Sequence, residues 1–262
     1  MDKYDIGRTL SRTFNLMMTT LGSVGLFLLI IQVVSAVMQF ALARPMLRQV
    51  TDAQAAGDPA AGLALFSSGT YLGITALSML LGSFAIAGSL NGLIQTAWGK
   101  PTSLQECFSA GLAKMLPALG VYVLWGLGVG LGSVLLIVPG LILVTVWSVA
   151  MPAVAGENRG VFESFGRSRE LTRGSRWQIF FTLLLVVIAM YAVIFVILGA
   201  IFGVGMMQIA AKMNSTIWGA LISVPIGWVF GSLINALLAS IYVELVSVRE
   251  GKPVSQLSGV FE

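Results

Sequence analysis

Long apolar segments that no turn residue interrupts constrain this chain most strongly. The segment LLIIQVVSAVM lies within an apolar run from Leu21 to Ala43, and about 20 such residues form a helix that crosses a bilayer. Several other segments reach this length. A strand of a soluble sheet would end sooner, and a strand of an outer-membrane barrel would alternate apolar and polar residues. The sequence therefore predicts an all-α, polytopic membrane protein.

The composition argues against the common kinds of catalytic site. Charged residues make up 10% of the chain and hydrophobic residues 57%, whereas about a quarter of a soluble domain is charged. Cys107 is the single cysteine, and the sequence contains no histidine, the most frequent general base and metal ligand. We therefore predict a non-enzymatic protein without cofactor or metal. The net charge of +4 would suggest nucleic acid for a soluble protein, but we expect no such partner here, because the position of charges matters more in a membrane protein.

The apolar segments predict six transmembrane helices in a single membrane domain. The division between the third and fourth is the least certain, because 138-VPG-140 fits either a turn or a kink. A single helix from Leu116 to Ala155 would be about 60 Å long, twice the hydrocarbon thickness of about 30 Å, so we favour a hairpin. The predicted spans are approximately 20–42, 71–98, 116–138, 140–155, 177–201 and 216–248.

The basic residues are distributed unequally between the two sides of these six spans. Twelve lie on one side and three, Arg44, Arg48 and Lys212, on the other. Short loops rich in lysine and arginine stay in the cytoplasm. We therefore predict that both termini are cytoplasmic. The twelve are Lys3, Arg8, Arg12, Lys100, Lys114, Arg159, Arg167, Arg169, Arg173, Arg176, Arg249 and Lys252.

Three cytoplasmic segments are predicted to form amphipathic helices at the membrane surface, at about 4–18, 102–115 and 160–175. In the first, Ile6, Leu10, Phe14 and Met17 share one helix face, with Arg8 and Arg12 opposite. The second repeats this spacing, and in the third Ser168 and Thr172 interrupt the apolar stripe. Each would precede a transmembrane hairpin, which predicts a degenerate threefold repeat. Chance resemblance within a biased composition is the alternative.

The segment 163-ESFGRSRELTRGSRWQIF-180 contains the densest cluster of basic residues. On a continuous helix, Arg169, Arg173 and Arg176 would occupy a narrow arc. Such a surface near an anionic leaflet favours binding of lipid headgroups, and anchoring and orientation of the fifth span is the alternative. The candidate headgroup residues are Arg167, Arg169, Arg173 and Arg176.

Few polar side chains fall within the predicted spans. Glu244 is the one ionisable residue well inside these limits, and we expect it to snorkel or to pair at the cytoplasmic end, where Arg249 follows five residues later, and not to relay protons. Asn91 and Asn235 occupy matching positions of the proposed repeat. They are the candidate interior polar contacts, and an amide in a span hydrogen-bonds to another helix more often than it binds substrate.

A longer stretch, residues 139–180, resembles the membrane-domain family named after bacterial glycerophosphoryl diester phosphodiesterase, together with uncharacterised inner-membrane proteins of the YciC type. The tail YVELVSVREG is similar to the closing signature of that family, although Val246 stands where the family usually has arginine. The resemblance implies a bacterial cytoplasmic membrane. Some relatives carry a soluble phosphodiesterase barrel, but no segment here is predicted to form one. The matching residues are Pro139, Gly140, Pro152, Glu157, Arg167, Ser168, Leu171, Thr172 and Gly174.

These patterns favour one function over two alternatives. The leading hypothesis is a non-enzymatic membrane protein that binds or organises phospholipid, with anionic headgroups as partners, at the inner leaflet and supports envelope homeostasis. The first alternative is a transporter or lipid translocator that uses the interior of the helix bundle. The second is a scaffold for a partner membrane protein.

Overall fold

A computed structural model describes residues 4–43, 68–157, 159–202 and 217–251 of the chain. Within these ranges the regular secondary structure is entirely helical. Two short π-helical turns, Leu21–Gly25 and Gln39–Ala43, flank the second helix. The α-helices are α1 (Ile6–Thr19), α2 (Leu26–Met38), α3 (Gly69–Ala97), α4 (Leu104–Leu135), α5 (Ile137–Val146), α6 (Ala150–Glu157), α7 (Val161–Thr172), α8 (Arg176–Phe202) and α9 (Ile217–Glu250).

Six helical segments of the described chain are long and apolar enough to cross a membrane. This confirms the all-α, six-span prediction, and the protein is an integral membrane protein. The segments are Leu21–Leu42, Gly69–Ala97, Leu104–Leu135, Ile137–Glu157, Arg176–Val196 and Ser223–Glu250.

The last span lies at the centre of the bundle and the fifth at its periphery. In the most apolar stretch of Ser223–Glu250, 67% of the residues are buried, against 17% in Arg176–Val196. The fifth span exposes large side chains such as Ile188 and Tyr191, and it is also the most hydrophobic. A lipid-facing helix needs this composition because lipid tails solvate its outer surface.

The first predicted surface helix forms as a separate element that packs against the bundle. Asp5 caps its start by accepting a hydrogen bond from the backbone N–H of Arg8 at 2.7 Å. The fully buried side chains are Thr9, Thr13 and Leu16. Of the predicted apolar face, Ile6, Leu10 and Met17 pack partly against the protein core, and Phe14 is 56% exposed on the protein surface. The threonine hydroxyls donate to carbonyl groups of their own helix, and these small residues allow α1 to approach α9 closely.

The prediction of a second, separate surface helix at 102–115 is wrong, because this segment is the beginning of the third span. The helix begins after Ser103, which forms a capping box with Glu106, and it continues without a break to Leu135. Pro117 removes one backbone donor, but a proline alone did not end the helix. The second unit of the proposed repeat therefore lacks a separate surface helix.

The third and fourth spans form the predicted hairpin, with the turn earlier than Pro139–Gly140. The chain turns at Leu136, whose backbone is extended at φ −160° and ψ 139°. Pro139 falls in the first turn of α5, where its missing N–H costs no hydrogen bond. The fourth span extends from Ile137 to Glu157, longer than predicted, and a turn around Trp147 divides it into α5 and α6.

Gly88 lies at a close crossing of three spans, and we expect its replacement by alanine to destabilise the fold. An added Cβ would collide with the Cys107 carbonyl oxygen and would lie 2.8 Å from Cζ of Phe27. Overpacking of this kind costs about 1–3 kcal/mol. Gly82→Ala is the matched control, since a Cβ at Gly82 meets nothing within 4 Å. Thermal unfolding in detergent should show a Tm below that of the wild type for Gly88→Ala but not for Gly82→Ala. Equal Tm values for the two variants would contradict a close crossing at Gly88.

Candidate functional site

Side-chain contacts bring several of the basic segments together at one end of the bundle, which we call the charged end. Arg8 and Arg12 of α1 reach Glu244 near the end of α9, and Arg167 of α7 reaches Glu250 at its last residue. Lys114 of α4 donates to the carbonyl oxygen of Ala155, near the end of α6. These segments were predicted to share one side of the membrane. The cytoplasmic orientation of this end stays a prediction. Five of the basic residues lie outside the described residues: Lys3, Arg44, Arg48, Lys212 and Lys252.

Glu244 is held in a buried ion-pair cluster on α9. Its side chain is 1% exposed, and its two carboxylate oxygens lie 2.8 Å from an Nη atom of Arg8 and 2.9 Å from an Nη atom of Arg12. Of the two expectations for Glu244, snorkelling or pairing, the structure shows pairing, and the partners are Arg8 and Arg12 of α1. Arg249 instead donates to the carbonyl oxygen of Arg173.

Glu157 is the hub of a second buried cluster, which joins α6, α7 and α9. Its carboxylate accepts hydrogen bonds from Nε of Arg167 at 2.9 Å and from the hydroxyl of Tyr242 at 2.6 Å, and also from Arg159. Arg167 reaches on to Glu250 at 2.7 Å. A single cluster thus connects the end of the fourth span, the surface helix and the end of the sixth span.

Arg167 is a structural cation and not part of an exposed basic surface. Its side chain is 11% exposed and lies against Glu157, Glu250 and, at 3.6 Å, Glu170. Burial by itself would lower the pKa of the Arg167 guanidinium, but the hydrogen bonds to Glu157 and Glu250 outweigh burial and raise the pKa above its ordinary value. Its assignment as a headgroup ligand is therefore corrected, because its hydrogen-bonding groups are directed at protein carboxylates.

The other three candidate arginines are exposed, although they do not share one helix as predicted. Helix α7 ends at Thr172, Arg173 has an extended backbone, and Gly174 takes a positive φ of 91° that favours glycine. Arg176 then begins α8. We call Arg169, Arg173 and Arg176 the arginine surface. Within the described part of the chain, none of the three forms an ion pair with a carboxylate.

The hydroxyls of Ser168 and Thr172 explain why the apolar stripe of α7 is interrupted. The Ser168 hydroxyl donates to the carbonyl of Val146 at 2.8 Å and accepts from the N–H of Val149 at 3.3 Å. These backbone groups are freed where the fourth span breaks between α5 and α6. Because unsatisfied backbone groups are costly away from water, the buried polar face of α7 stabilises that break. The sequence pattern alone did not reveal this role.

The two candidate interior amides make different contacts. Asn91 donates to the carbonyl of Ala155 on another helix at 2.8 Å, next to the Lys114 contact. Asn235 donates to the carbonyl of Gly231 in its own helix at 2.9 Å. Asn91 thus makes the predicted hydrogen bond between helices, whereas the hydrogen bond of Asn235 stays within α9. Matching positions in the proposed repeat do not make matching contacts.

A buried tyrosine, Tyr4, also contributes to the charged end and was not recognised from the sequence. Tyr4 precedes α1, and its hydroxyl donates to the hydroxyl of Thr182 on α8 at 3.3 Å. Burial raises the pKa of the Tyr4 phenol above its usual value. This contact ties the start of the chain to the peripheral fifth span.

The chemistry of the charged end is therefore that of fixed ion pairs beside an exposed cationic surface. Among the residues that the structure describes, no group of three or more His, Cys, Asp and Glu side chains could hold a metal ion. Comparisons with protein-family models, curated proteins and solved structures found no match for this chain. The resemblance to the phosphodiesterase membrane-domain family stays a prediction.

Proposed function

We propose that this integral membrane protein is non-enzymatic and binds or organises phospholipid at the cytoplasmic leaflet of a bacterial membrane, in support of envelope homeostasis. The observation that carries the proposal is the arginine surface. At the same end, Arg8, Arg12, Arg159 and Arg167 are engaged with carboxylates, whereas the arginine surface carries three positive charges that the described carboxylates do not neutralise.

The surroundings of the arginine surface suit the headgroup layer of a bilayer. Trp177 follows Arg176 directly and is 75% exposed, and Phe181 one turn later is also exposed and stacks on it. Tryptophan is enriched at membrane–water interfaces, where its ring lies at the level of the headgroups. A basic residue near an anionic leaflet contributes about 1 kcal/mol to the attraction. The three arginines therefore favour anionic over zwitterionic lipid at this position.

The proposal predicts that lipid selectivity depends on these charges. We expect the triple variant Arg169→Gln/Arg173→Gln/Arg176→Gln to lose preference for phosphatidylglycerol over phosphatidylcholine by about fivefold or more, because about 1 kcal/mol for even one arginine corresponds to that factor. The measurement uses protein reconstituted in bilayers with spin-labelled lipids, in which the motionally restricted fraction reports relative affinity.

The matched control is the corresponding triple lysine variant, which keeps the charge and should keep most of the selectivity. A second control, Arg249→Gln, removes a nearby exposed cation that bonds the Arg173 carbonyl. If the triple glutamine variant shows the selectivity of the wild type, the arginines serve only to anchor and orient the fifth span and the proposed function fails.

A further inference from the structure

Helix α7 turns a mostly polar side towards the protein, which is the reverse of an ordinary surface helix. Its buried residues are Ser164, Ser168, Leu171 and Thr172, and the Ser168 hydroxyl donates to the carbonyl of Val146 on the fourth span. A surface helix of a soluble protein instead buries an apolar stripe and exposes polar residues. The outward side of α7 therefore does not have to be the polar one.

The outward side of α7 carries a large apolar residue, Phe162, which is 81% exposed. The other apolar residues of the first two turns, Val161 and Phe165, pack against the bundle. Phe165 lies edge-on to Trp147, with 4.9 Å between the ring centroids. On the helix, Phe162 points about 180° away from the buried Leu171. Packing within the protein therefore does not account for the phenylalanine at this position.

The start of α7 lies against the membrane-spanning part of α4. A Cβ added at Gly120 would lie 2.8 Å from Cγ2 of Val161, so the two helices are in close contact there. With the end of α4 at Leu135 placed at the far edge of the bilayer, about 30 Å of hydrocarbon takes up about 20 residues. This length ends near Met115, before Gly120 is reached. The start of α7 therefore lies on the hydrocarbon side of the near boundary.

The same side of α4 faces lipid both before and after this contact. Leu116 lies one turn before Gly120 and Leu127 two turns after it, and the two leucines are 67% and 56% exposed. Both belong to a segment that is long and apolar enough to cross the membrane, so acyl chains solvate them. Phe162 follows Val161 directly and extends this apolar surface onto α7.

The charged residues around Phe162 suit a position at the edge of the hydrocarbon. Arg159 pairs with Glu157, and the carboxylate of Glu163 accepts a hydrogen bond from the backbone at the start of α7. Farther along the exposed side, Arg169 lies two turns, or about 10 Å, from Phe162. This spacing lets the ring reach acyl chains while the guanidinium lies among the headgroups.

We propose that Phe162 inserts into the acyl chains of the adjacent leaflet, so that α7 is a membrane-embedded helix with its polar side against the protein. The occupant of this surface is the lipid tail, and its binding requires no anionic headgroup. The inference therefore goes beyond the proposed function, which depends on arginine charge. Helices of this kind bury their apolar side about 5–10 Å into the boundary between headgroups and acyl chains, and we expect this depth for Phe162.

Spin labelling measures this depth at single positions. Nitroxides are attached to Phe162→Cys, Glu170→Cys and Leu127→Cys, one at a time. Glu170, 70% exposed on α7, is the aqueous control, and Leu127 is the hydrocarbon control. Because Cys107 is fully buried, the unsubstituted protein verifies that labelling is specific. Power saturation with oxygen and with a water-soluble nickel complex is recorded in bilayers of phosphatidylcholine alone, and the Tm verifies that each labelled protein is folded.

We expect the label at position 162 to collide more with oxygen than with the nickel complex, at a depth between those of the two controls. Nickel accessibility equal to that at position 170 would place this side chain in water and overturn the proposal. Protection from both reagents, with an immobilised spectrum, would indicate contact with a second protein and overturn lipid as the occupant. Because these bilayers contain no anionic lipid, the result does not depend on the arginine surface, and the two proposals can fail separately.

Discussion

Replacing both Arg8 and Arg12 by leucine is expected to lower the free energy of unfolding by about 3–5 kcal/mol, because it leaves a buried carboxylate without a partner. Glu244 is 1% exposed, and these two arginines are the cations that contact it. Desolvation of an unpaired ionised carboxylate is much more costly than the loss of an exposed ion pair. Unfolding in mixed micelles with increasing sodium dodecyl sulfate, followed by tryptophan fluorescence, measures the change.

The triple variant Arg8→Leu/Arg12→Leu/Glu244→Leu separates the charge effect from loss of packing. Because it removes the carboxylate together with its partners, we expect it to recover most of the lost free energy. The single variant Arg8→Gln should cost much less, since Arg12 remains 2.9 Å from the carboxylate. Equal destabilisation in the double and triple variants would show that α1 is held by packing alone.

Substitution of Glu157 by leucine is expected to have an effect of similar size, about 3–5 kcal/mol, because it removes the acceptor that three side chains share. The Tyr242 hydroxyl, 2.6 Å away, would lose its acceptor, and Arg167 would lose one of its carboxylates while remaining 11% exposed. The same micelle unfolding experiment applies. We also expect increased proteolysis near α7, because the cluster joins this surface helix to α6 and α9.

Glu170→Leu is the matched control for Glu157→Leu. Glu170 also lies near Arg167, at 3.6 Å, but is 70% exposed, and exposed ion pairs contribute about 0–1 kcal/mol. Tyr242→Phe removes only the hydroxyl and should cost about 1–3 kcal/mol at most. A ranking in which Glu170→Leu equals or exceeds Glu157→Leu would contradict the hub role of Glu157.

Much of the fold could be predicted from the sequence because the bilayer imposes simple demands. A span needs about 20 apolar residues and internal hydrogen bonding of its backbone, so the apolar blocks alone indicate six crossings. A single helix through residues 116–155 would be too long for the bilayer, and this length correctly favoured a hairpin. The turn position and the continuity of α4 through Pro117 were not predictable, because they depend on how neighbouring helices pack against each residue.

The candidate site was predictable only in its coarse location. The concentration of arginines between the fourth and fifth spans correctly indicated a charged segment, and Arg169, Arg173 and Arg176 are exposed. The roles of Arg167 and Ser168 were missed, since each bonds to a residue on another element. Helical periodicity identifies which side chains share a face, but not which partner that face meets.

The sequence by itself determined that this chain crosses a bilayer and where its cations concentrate, because burial of apolar segments in lipid depends on local composition. Only the tertiary structure decided which cations are neutralised and which stay exposed. Glu244 and Arg12 are separated by 232 residues, and Arg167 and Glu250 by 83. Such pairs form because helix packing places their charges within 3 Å in a region of low dielectric, and that distance is a property of the assembled bundle and not of any one segment.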